Sequence, residues 1–414
     1  MTQTIKADLC IIGAGSGGLS VAAGAAMLGR KVVLIEKGEM GGDCLNSGCV
    51  PSKALIAAAA SAQAMRETDK FGVKSVEPEI DFAAVMDHVH GVIAAIEPAD
   101  SQERFEGLGV TVIRAAAQFT GPREVEAGGA KITAKHFVVA TGSTPFVPPI
   151  PGLDAVSYFT NETVFANRIR PDHLIVIGGG PIGAEMAQAH RRLGARVTII
   201  EALSFLGRED EELADVVRKR LIHEGVDIVE NAKAERVEKT ASGLRVHLAN
   251  RHIDGSHLLV AVGRKPTVDG LNLEAAGVEY TPKGIKTDVR LRTTNKRVYA
   301  IGDVAGGRQF THVAGYHASV LVRNILFKTP AKNNEHLAPR VTYCDPELAQ
   351  IGLTEREARE KHGDVKIARW PFAKNDRAEA ERDTDGLVKV VTDKSGKILG
   401  AGIAGRGAGD LLQP

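Results

Sequence analysis

The sequence has few cysteines and almost no net charge. Four cysteines in 414 residues are too few for the disulfide scaffold of a secreted protein. The formal net charge is +1 and like charges form no block, so nothing in the electrostatics predicts a nucleic-acid or anionic-membrane partner. With 43% hydrophobic and 25% charged residues, the composition is that of an ordinary globular protein, and the length suggests roughly three domains.

One stretch without any charge, Leu9 to Gly29, is long enough to suggest a membrane span. It contains six glycines and begins close to the first residue. These features favour a buried strand, a glycine turn and a helix over a membrane helix or a signal peptide. We therefore expect a cytoplasmic protein.

The chain contains one sequence unit twice. The first copy runs from Asp8 to Glu36 and the second from His173 to Glu201. In each copy the final acid follows the first glycine of a glycine-rich turn by 23 residues. The apolar runs on either side are typical of parallel strands buried on both faces, so each copy predicts a strand, a tight turn, a helix and a second strand.

The glycines of each copy have the spacing of a dinucleotide-binding turn. Such glycines permit the tight turn, the approach of a pyrophosphate and close helix packing, while the helix N-terminus supplies amide donors. The acid can accept a hydrogen bond from a ribose hydroxyl. The predicted nucleotide-binding residues are Gly13, Gly15, Gly18 and Glu36 in the first copy, and Gly178, Gly180, Gly183 and Glu201 in the second.

Two such turns predict two dinucleotides, one held and one exchanged. A carboxylate at Glu201 binds a 2′-hydroxyl but repels a 2′-phosphate, so NAD is favoured over NADP. The nearest basic residues beyond it, Arg208 and Arg218, are too distant in sequence to reverse this preference.

The rest of the chain predicts further regular elements. A helical stretch is expected from about Phe82 to Phe105, a strand over Phe137–Gly142 and a helix from about Thr311 to Phe327. Beyond Pro339 alternating strands, two of them joined by the turn 393–396, predict a hairpin in an antiparallel domain.

Cys44 and Cys49 lie shortly after the first nucleotide-binding unit, and three interpretations of the pair compete. A zinc site requires more Cys or His at close spacing, and the nearest histidine is His88. A structural disulfide would tend to be reduced in the cytosol. A redox-active disulfide is favoured, with its thiolate form stabilised by a following helix N-terminus and by Lys53.

The run Gly41–Lys53 resembles the class I pyridine nucleotide-disulphide oxidoreductases, as do the two Rossmann units, the Ala-Thr-Gly segment ending at Gly142 and the Gly-Asp turn at Asp303. That family includes dihydrolipoamide dehydrogenase, glutathione reductase and mercuric reductase. The implied fold class is α/β, with two Rossmann-like dinucleotide-binding domains and a C-terminal α+β antiparallel interface domain. The implied segments are 1–147 and 267–336 for FAD binding, 148–266 for NAD binding and 337–414 for the interface domain.

The resemblance also implies how FAD and the cysteines are used. FAD would be held by the first Rossmann unit, by Thr141 and Gly142, and by Asp303 on the ribitol chain. Cys49 would be the thiol nearest the flavin, and Cys44 the one that exchanges with substrate.

For the remaining site residues the resemblance implies that Lys53 lies at the flavin ring, paired with Glu185. The second Rossmann unit would bind NADH, with Gly263 lining its site. The helix after Thr311 would direct its N-terminus at the flavin. No resident metal is implied.

Near the C-terminus the sequence departs from the family. Members usually carry a catalytic His in a His-Pro dipeptide there, and this chain has no His-Pro. Its last residues, Gly409–Pro414, resemble a point within the interface domain, so either that domain is truncated or another group serves as the proton donor. We expect a truncated domain, with electron flow to the cysteine pair retained and dithiol exchange impaired. Family members act as homodimers, so a homodimer is expected if the interface domain is complete.

Other departures bear on the substrate. Ser52 matches lipoamide and mercury enzymes, and Pro181 stands where glutathione reductases place a Tyr. Asp43 and Ser47 replace the Thr and Val common in lipoamide dehydrogenases.

The prediction is a FAD-dependent, NADH-linked disulphide oxidoreductase resembling dihydrolipoamide dehydrogenase, acting on a small-molecule or protein-bound disulphide or dithiol. A mercuric-reductase-like or glutathione-type reductase and a non-enzymatic flavoprotein redox sensor are the alternatives.

Overall fold

The computed structural model describes residues 4–412. They divide into two compact units. The first unit comprises residues 4–51, 91–144 and 264–335, and the second comprises residues 52–90, 145–263 and 336–412. The domain boundaries at 147, 266 and 336 stay predictions.

The described residues contain eleven α-helices. In chain order they are α1 Ser16–Met27, α2 Gly42–Asn46, α3 Cys49–Arg66, α4 Phe82–Asp100, α5 Gln102–Gly107, α6 Pro181–Arg192, α7 Glu211–His223, α8 Thr311–Ile325, α9 Glu355–His362, α10 Asp376–Glu381 and α11 Ala408–Leu411. Short 3-10 helices include Gly302–Ala305 and Glu335–Leu337.

Strands are numbered in the same way. They are β1 Thr4–Ile12, β2 Val32–Glu36, β3 Thr111–Arg114, β4 Ala117–Gly121, β5 Glu124–Ala127, β6 Ala130–Val139, β7 Ser143–Pro145, β8 His173–Ile177, β9 Arg196–Ile200, β10 Val226–Val229, β11 Arg236–Thr240, β12 Gly243–His247, β13 His252–Gly255, β14 His257–Val260, β15 Arg264–Pro266, β16 Tyr280–Thr281, β17 Gly284–Ile285, β18 Val298–Ala300, β19 Arg340–Thr342, β20 Glu347–Gly352, β21 Lys366–Pro371, β22 Leu387–Thr392 and β23 Ile398–Gly405.

The first unit is built on a seven-stranded sheet in the order β3-β2-β1-β6-β5-β4, with β18 also paired to β6. Strands β3, β2, β1, β6 and β18 are parallel, and β5 and β4 continue the sheet antiparallel. Leu9 and Ile11 face one core cluster while Cys10 and Ile12 face another. This two-sided burial explains why the strand is continuously apolar, as parallel strands with covered faces require.

The uncharged run Leu9–Gly29 forms the end of β1, the glycine turn and α1, as predicted. Within residues 4–412, no helix combines the length and apolarity needed to cross a membrane.

The second unit contains the other predicted strand–helix–strand unit. Its parallel sheet has the order β10-β9-β8-β14, and α6 connects β8 to β9. A three-stranded antiparallel sheet, β11-β12-β13, belongs to the same unit. The C-terminal part forms a five-stranded antiparallel sheet in the order β19-β20-β23-β22-β21. The predicted hairpin is confirmed, because β22 and β23 pair antiparallel across the turn at Asp393.

Three local predictions were wrong in their extent. The helix expected over 82–105 is two helices, because the Ser101 hydroxyl accepts the amide of Arg104 at 3.2 Å and starts α5. The strand expected to reach Gly142 ends at Val139, and Gly142 has a left-handed φ of +64° that a strand does not accommodate. Helix α8 ends at Ile325 rather than Phe327.

Candidate active site

The two glycine turns have the same internal construction. Gly13 and Gly178 have φ angles of +106° and +111°, a region that side chains rarely adopt. A Cβ at either position would collide with the carbonyl oxygen of Ala140 or Ala261 respectively, at the end of the neighbouring strand. Only glycine satisfies both constraints.

The other glycines of the turns allow close helix packing or leave the helix N-terminus open. A Cβ on Gly18 or Gly183 would collide with the carbonyl oxygen of the first glycine of its turn, so these positions bring the helix close to the strand. Gly15 and Gly180 are the N-caps of α1 and α6. Among the described residues, a Cβ on Gly180 would meet nothing within 4 Å, and one on Gly15 would meet only the Cα of Gly42 at 4.0 Å.

The acids Glu36 and Glu201 each span the turn that precedes them. One oxygen of Glu36 accepts the amide of Ala14 at 2.6 Å, and the other accepts the amide of Gly38 at 2.7 Å. Glu201 repeats the arrangement on the amides of Gly179 and Leu203, at 2.7 and 2.8 Å. Each acid therefore ties its turn to its strand end, a role that the sequence alone did not suggest.

Both turns fit an adenine dinucleotide. The second glycine leaves the helix N-terminus open, where amides and the helix dipole favour a pyrophosphate. A carboxylate offers about four acceptor positions, so Glu36 and Glu201 retain capacity for ribose hydroxyls beside their two amide bonds. The residues present are thus suited to FAD in the first unit and to a nicotinamide dinucleotide in the second.

Asp303 lies in a polar cluster of the first unit. Its carboxylate accepts the Ser143 hydroxyl at 2.6 Å, and Nε of Arg264 donates to the same hydroxyl oxygen at 2.7 Å. Burial raises the pKa of the Asp303 carboxyl, against the opposing effects of Ser143 and Arg264. Arg264 also pairs with Asp43 at 3.2 Å. Ser143 and Arg264 were missed from the sequence, where they stand among ordinary loop residues.

Thr141 and Gly142 fix the loop after β6. The Thr141 hydroxyl donates to the carbonyl of Thr267 at 2.7 Å, and the amide of Thr267 donates back to the carbonyl of Gly142 at 3.0 Å. These two hydrogen bonds to Thr267 hold the loop that leads to Ser143.

The segment that leads into Cys44 contacts the first glycine turn through its backbone. The amide of Gly41 donates to the carbonyl of Ala14 at 3.0 Å, and Gly41 itself has φ +84°. A Cβ on Gly42 would lie 2.8 Å from the Cα of Gly15, so the two backbones touch. Helix α2, which carries Cys44, therefore starts against the predicted pyrophosphate site.

The two sulfurs lie together at the ends of short elements. Cys44 is half-buried on α2, and Cys49 is exposed at the first position of α3. Their thiols are hydrogen-bonded to each other, and this contact together with burial raises the pKa of the Cys44 thiol. Which thiol exchanges with substrate stays a prediction.

Two hydroxyls that sequence reasoning missed surround the sulfurs. The Thr311 hydroxyl oxygen lies 3.2 Å from the Cys49 sulfur, where α8 begins. The hydroxyls of Thr311 and Ser16 act to lower the pKa of Cys44. Ser16 directly follows the second glycine of the turn, which is the signal that could have identified it.

In the second unit, the predicted contact between Lys53 and Glu185 is present. The Lys53 ammonium donates to Glu185 at 2.9 Å, and Glu185 is buried on α6. The other oxygen of Glu185 accepts the amide of Tyr343 at 2.9 Å, and the Lys53 nitrogen lies 4.3 Å from the centre of the Tyr343 ring. Tyr343 was missed because it was assigned only to the interface segment.

Gly263 lies just beyond β14 in the second unit. It has φ +131°, its carbonyl accepts the amide of Phe146 at 2.9 Å, and a Cβ there would meet no described atom within 4 Å. The other two cysteines, Cys10 and Cys344, are buried, and burial raises the pKa of both thiols.

Two family models match the chain. The pyridine nucleotide-disulphide oxidoreductase model matches residues 7–318, and the dimerisation domain of the same family matches residues 338–414.

The curated relatives include mercuric reductases and dihydrolipoyl dehydrogenases. The mercuric reductase of Bacillus cereus is 37% identical over 412 residues, which cover 98% of this chain and 65% of that protein. The chain therefore spans less than two thirds of that relative. The dihydrolipoyl dehydrogenase of Geobacillus stearothermophilus is 36% identical over 420 residues, which cover 99% of this chain and 88% of that protein.

Among solved structures, the HOCl-induced flavoprotein disulfide reductase RclA of Escherichia coli matches with a TM-score of 0.87 and 30% identity, over 98% of this chain and 91% of that chain. The chain therefore belongs to the class I pyridine nucleotide-disulphide oxidoreductase family, flavoprotein enzymes that use FAD and NAD(P). This confirms the family, the fold class, the enzyme class and the use of FAD and NAD(P) predicted from the sequence, and the preference for NAD over NADP stays a prediction.

Proposed function

We propose that this chain is an NADH-linked reductase that passes two electrons to the Cys44–Cys49 pair and from there to a disulphide substrate. The observation that carries the proposal is the hydrogen-bonded pair of thiols on a segment attached to the first glycine turn. In the net reaction NADH and one proton reduce one disulphide bond to two thiols and yield NAD⁺.

Bound FAD would supply a two-electron carrier between the nicotinamide and the cysteine pair. The first glycine turn, Glu36 and Asp303 are the groups of this chain that would hold it. Their construction from backbone amides and carboxylates fits a pyrophosphate with two polyol groups.

The cysteine pair cycles between a disulphide and two thiols, and each reduction takes up two electrons and two protons. The Thr311 hydroxyl next to Cys49 is placed to donate to a thiolate as the S–S bond breaks. A hydrogen bond to a charged acceptor is stronger than one between neutral groups, so this contact favours the charged form of Cys49.

NADH is the proposed electron donor because of Glu201. Its carboxylate is held at the second turn by the amides of Gly179 and Leu203, where a 2′-phosphate would be repelled.

A mercury(II) ion is the second candidate substrate. Two adjacent thiols are ligands that a soft metal ion prefers, and relatives over nearly the whole of this chain are mercuric reductases. The first candidate substrate is a lipoamide-type disulphide. A non-enzymatic redox sensor is the third possibility, and substrate turnover distinguishes it from both reductases.

We also propose that the protein acts as a homodimer in the cytoplasm. The match of residues 338–414 to a dimerisation domain supports the dimer. The cytoplasmic location is supported by the four cysteines in 414 residues, which are too few for the disulfide scaffold of a secreted protein.

The test is steady-state NADH oxidation by the flavin-loaded protein with lipoamide, oxidised glutathione and Hg(II) in turn. Cys44→Ser should abolish turnover, and Cys10→Ala, which removes a buried core thiol, should leave it intact. Turnover that survives Cys44→Ser would refute the proposed route. A pair that NADH reduces without turnover on any of the three substrates would identify a sensor.

A further inference from the structure

A buried histidine lies behind the Asp303 turn. His317 is 0% exposed on α8, and its Nδ1 accepts the amide of Gly302 at 3.1 Å. Because Nδ1 accepts this bond, the ring proton of the neutral imidazole is on Nε2. Nε2 then donates to the carboxylate of Glu335 at 3.1 Å. This hydrogen bond is the main reason that the pKa of Glu335 lies below its ordinary value.

Glu335 in turn holds a second point of the same loop. Its carboxylate accepts the backbone amide of Arg308. It also packs against Gly307 so closely that a Cβ there would collide with it. His317 and Glu335 therefore hold the two ends of the segment 302–308, one through Gly302 and the other through Gly307 and Arg308.

The segment connects two parts of the site. At one end Gly302 precedes Asp303, whose carboxylate belongs to the cluster with Ser143. At the other end the loop enters α8 at Thr311, whose hydroxyl contacts the Cys49 sulfur. All of these residues lie in the first unit.

We propose that His317 and Glu335 are positioning residues: the Gly302–His317 bond orients the Asp303 turn for FAD, and the His317–Glu335 bond fixes the loop that presents Thr311 to Cys49. This inference rests on the proposed function, in that Asp303 and Cys49 serve FAD and the redox pair.

Substitutions of His317 can remove either its hydrogen bond with Gly302 or its hydrogen bond with Glu335 and keep the other. Asn at 317 offers an oxygen near the place of Nδ1, which keeps an acceptor for Gly302 and removes the donor to Glu335. Gln offers a nitrogen near the place of Nε2, which keeps the donor to Glu335 and removes the acceptor. Phe removes both at nearly constant shape, and Glu335→Ala removes the Glu335 link while His317 stays in place.

Two readouts report on the two ends of the loop. Equilibrium binding of FAD to the apoprotein, followed by flavin fluorescence, reports on the Asp303 turn. The pH profile of Cys49 alkylation by iodoacetamide, in a Cys44→Ser background without FAD, reports on the Thr311 contact. Thermal unfolding identifies any variant that has lost its fold.

We expect His317→Gln to weaken FAD binding about tenfold, which corresponds to about 1.4 kcal/mol, while His317→Asn stays within about twofold of wild type. We expect the reverse order for the alkylation midpoint: it should rise in His317→Asn and Glu335→Ala and stay near wild type in His317→Gln. His317→Phe should change both.

Folded Asn and Gln variants that leave both readouts at wild-type values would overturn the inference. So would changes of equal size in both readouts for every variant, because these would indicate only a general loss of structure. A wild-type protein that binds FAD but does not reduce its cysteine pair with NADH would instead contradict the proposed function, and the FAD-binding comparison would still decide on the first bond.

Discussion

The hydroxyl oxygen of Thr311 lies 3.2 Å from the sulfur of Cys49. A thiolate is an acceptor only, so in that form of Cys49 the hydroxyl is the donor of this bond. Replacing Thr311 by Val removes the donor and keeps the shape. We expect the pKa of the Cys49 thiol to rise by about one unit, since a hydrogen bond to a charged group contributes about 1.5–3 kcal/mol and Cys49 is exposed enough to lose part of it to water.

The measurement is the rate of Cys49 alkylation against pH in reduced Cys44→Ser protein. Thr311→Ser is the matched control, because it keeps the hydroxyl and should reproduce the profile of the parent. An equal shift in the Ser and Val variants would show that the hydroxyl is not the cause.

Tyr343 holds Lys53 and Glu185 in different ways. Its amide donates to Glu185, and its ring lies 4.3 Å from the Lys53 nitrogen. Tyr343→Leu keeps the amide and removes the ring, at a cost of about 0.5–1 kcal/mol for a cation–π contact. Because Lys53 loses part of the contact that orients its ammonium, we expect kcat to fall by about two- to fivefold at that energy.

Tyr343→Phe keeps the aromatic face, so its kcat should equal that of wild type in the same NADH assay. A loss of activity in Phe as large as that in Leu would assign the effect to the hydroxyl, and the cation–π argument would fail.

The repeated units were predictable because their constraints are local. A positive φ at Gly13 and Gly178, close helix packing at Gly18 and Gly183, and an acid at a set distance all act within one strand–helix–strand segment. The hairpin of β22 and β23 was predictable for the same reason, because a short turn joins two strands that are consecutive in sequence.

Residues that act across long sequence separations were not predictable in this way. Ser143, Arg264 and Asp303 meet only because β7, β15 and the turn after β18 lie together in the fold. Thr311 stands 262 residues from Cys49 in sequence, and its polar side chain is ordinary for a helix start. Lys53 and Glu185 stand 132 residues apart in sequence, and their contact was expected only from the family resemblance.

Glu201 and Glu36 form a matched pair for testing nucleotide choice. Both carboxylates accept two backbone amides in the same arrangement, so alanine at either position removes the same structural bonds. Glu201→Ala should lower kcat/KM for NADH by about 10- to 100-fold, the value of a charged hydrogen bond of about 1.5–3 kcal/mol, and should lower it less for NADPH.

Glu36→Ala is the control for loosening of the turn. It should weaken retention of FAD and leave the ratio of NADH to NADPH use unchanged once the protein is saturated with FAD. If the ratio of NADH to NADPH use also stays constant in Glu201→Ala, then Glu201 does not determine which nucleotide is used.

We expect His190 to make the stability of the protein depend on pH. It is buried on α6, where Nδ1 donates to the carbonyl of Met186 at 2.8 Å, and burial lowers its pKa from 6.5 to about 4. Between these pH values the unfolded chain binds a proton that the folded chain does not. The free energy of unfolding therefore falls as the pH is lowered from 6.5 towards 4, by up to about 3 kcal/mol from this group.

Urea unfolding at about pH 7 and about pH 4.5 measures this loss. His190→Gln keeps a neutral donor and cannot take up the proton, so it should lose less stability on acidification than wild type, although it is less stable at neutral pH. His88→Gln, at an exposed position of α4, should follow the wild-type pH dependence. If the His190 and His88 variants lose the same free energy as wild type, the buried imidazole does not control this transition.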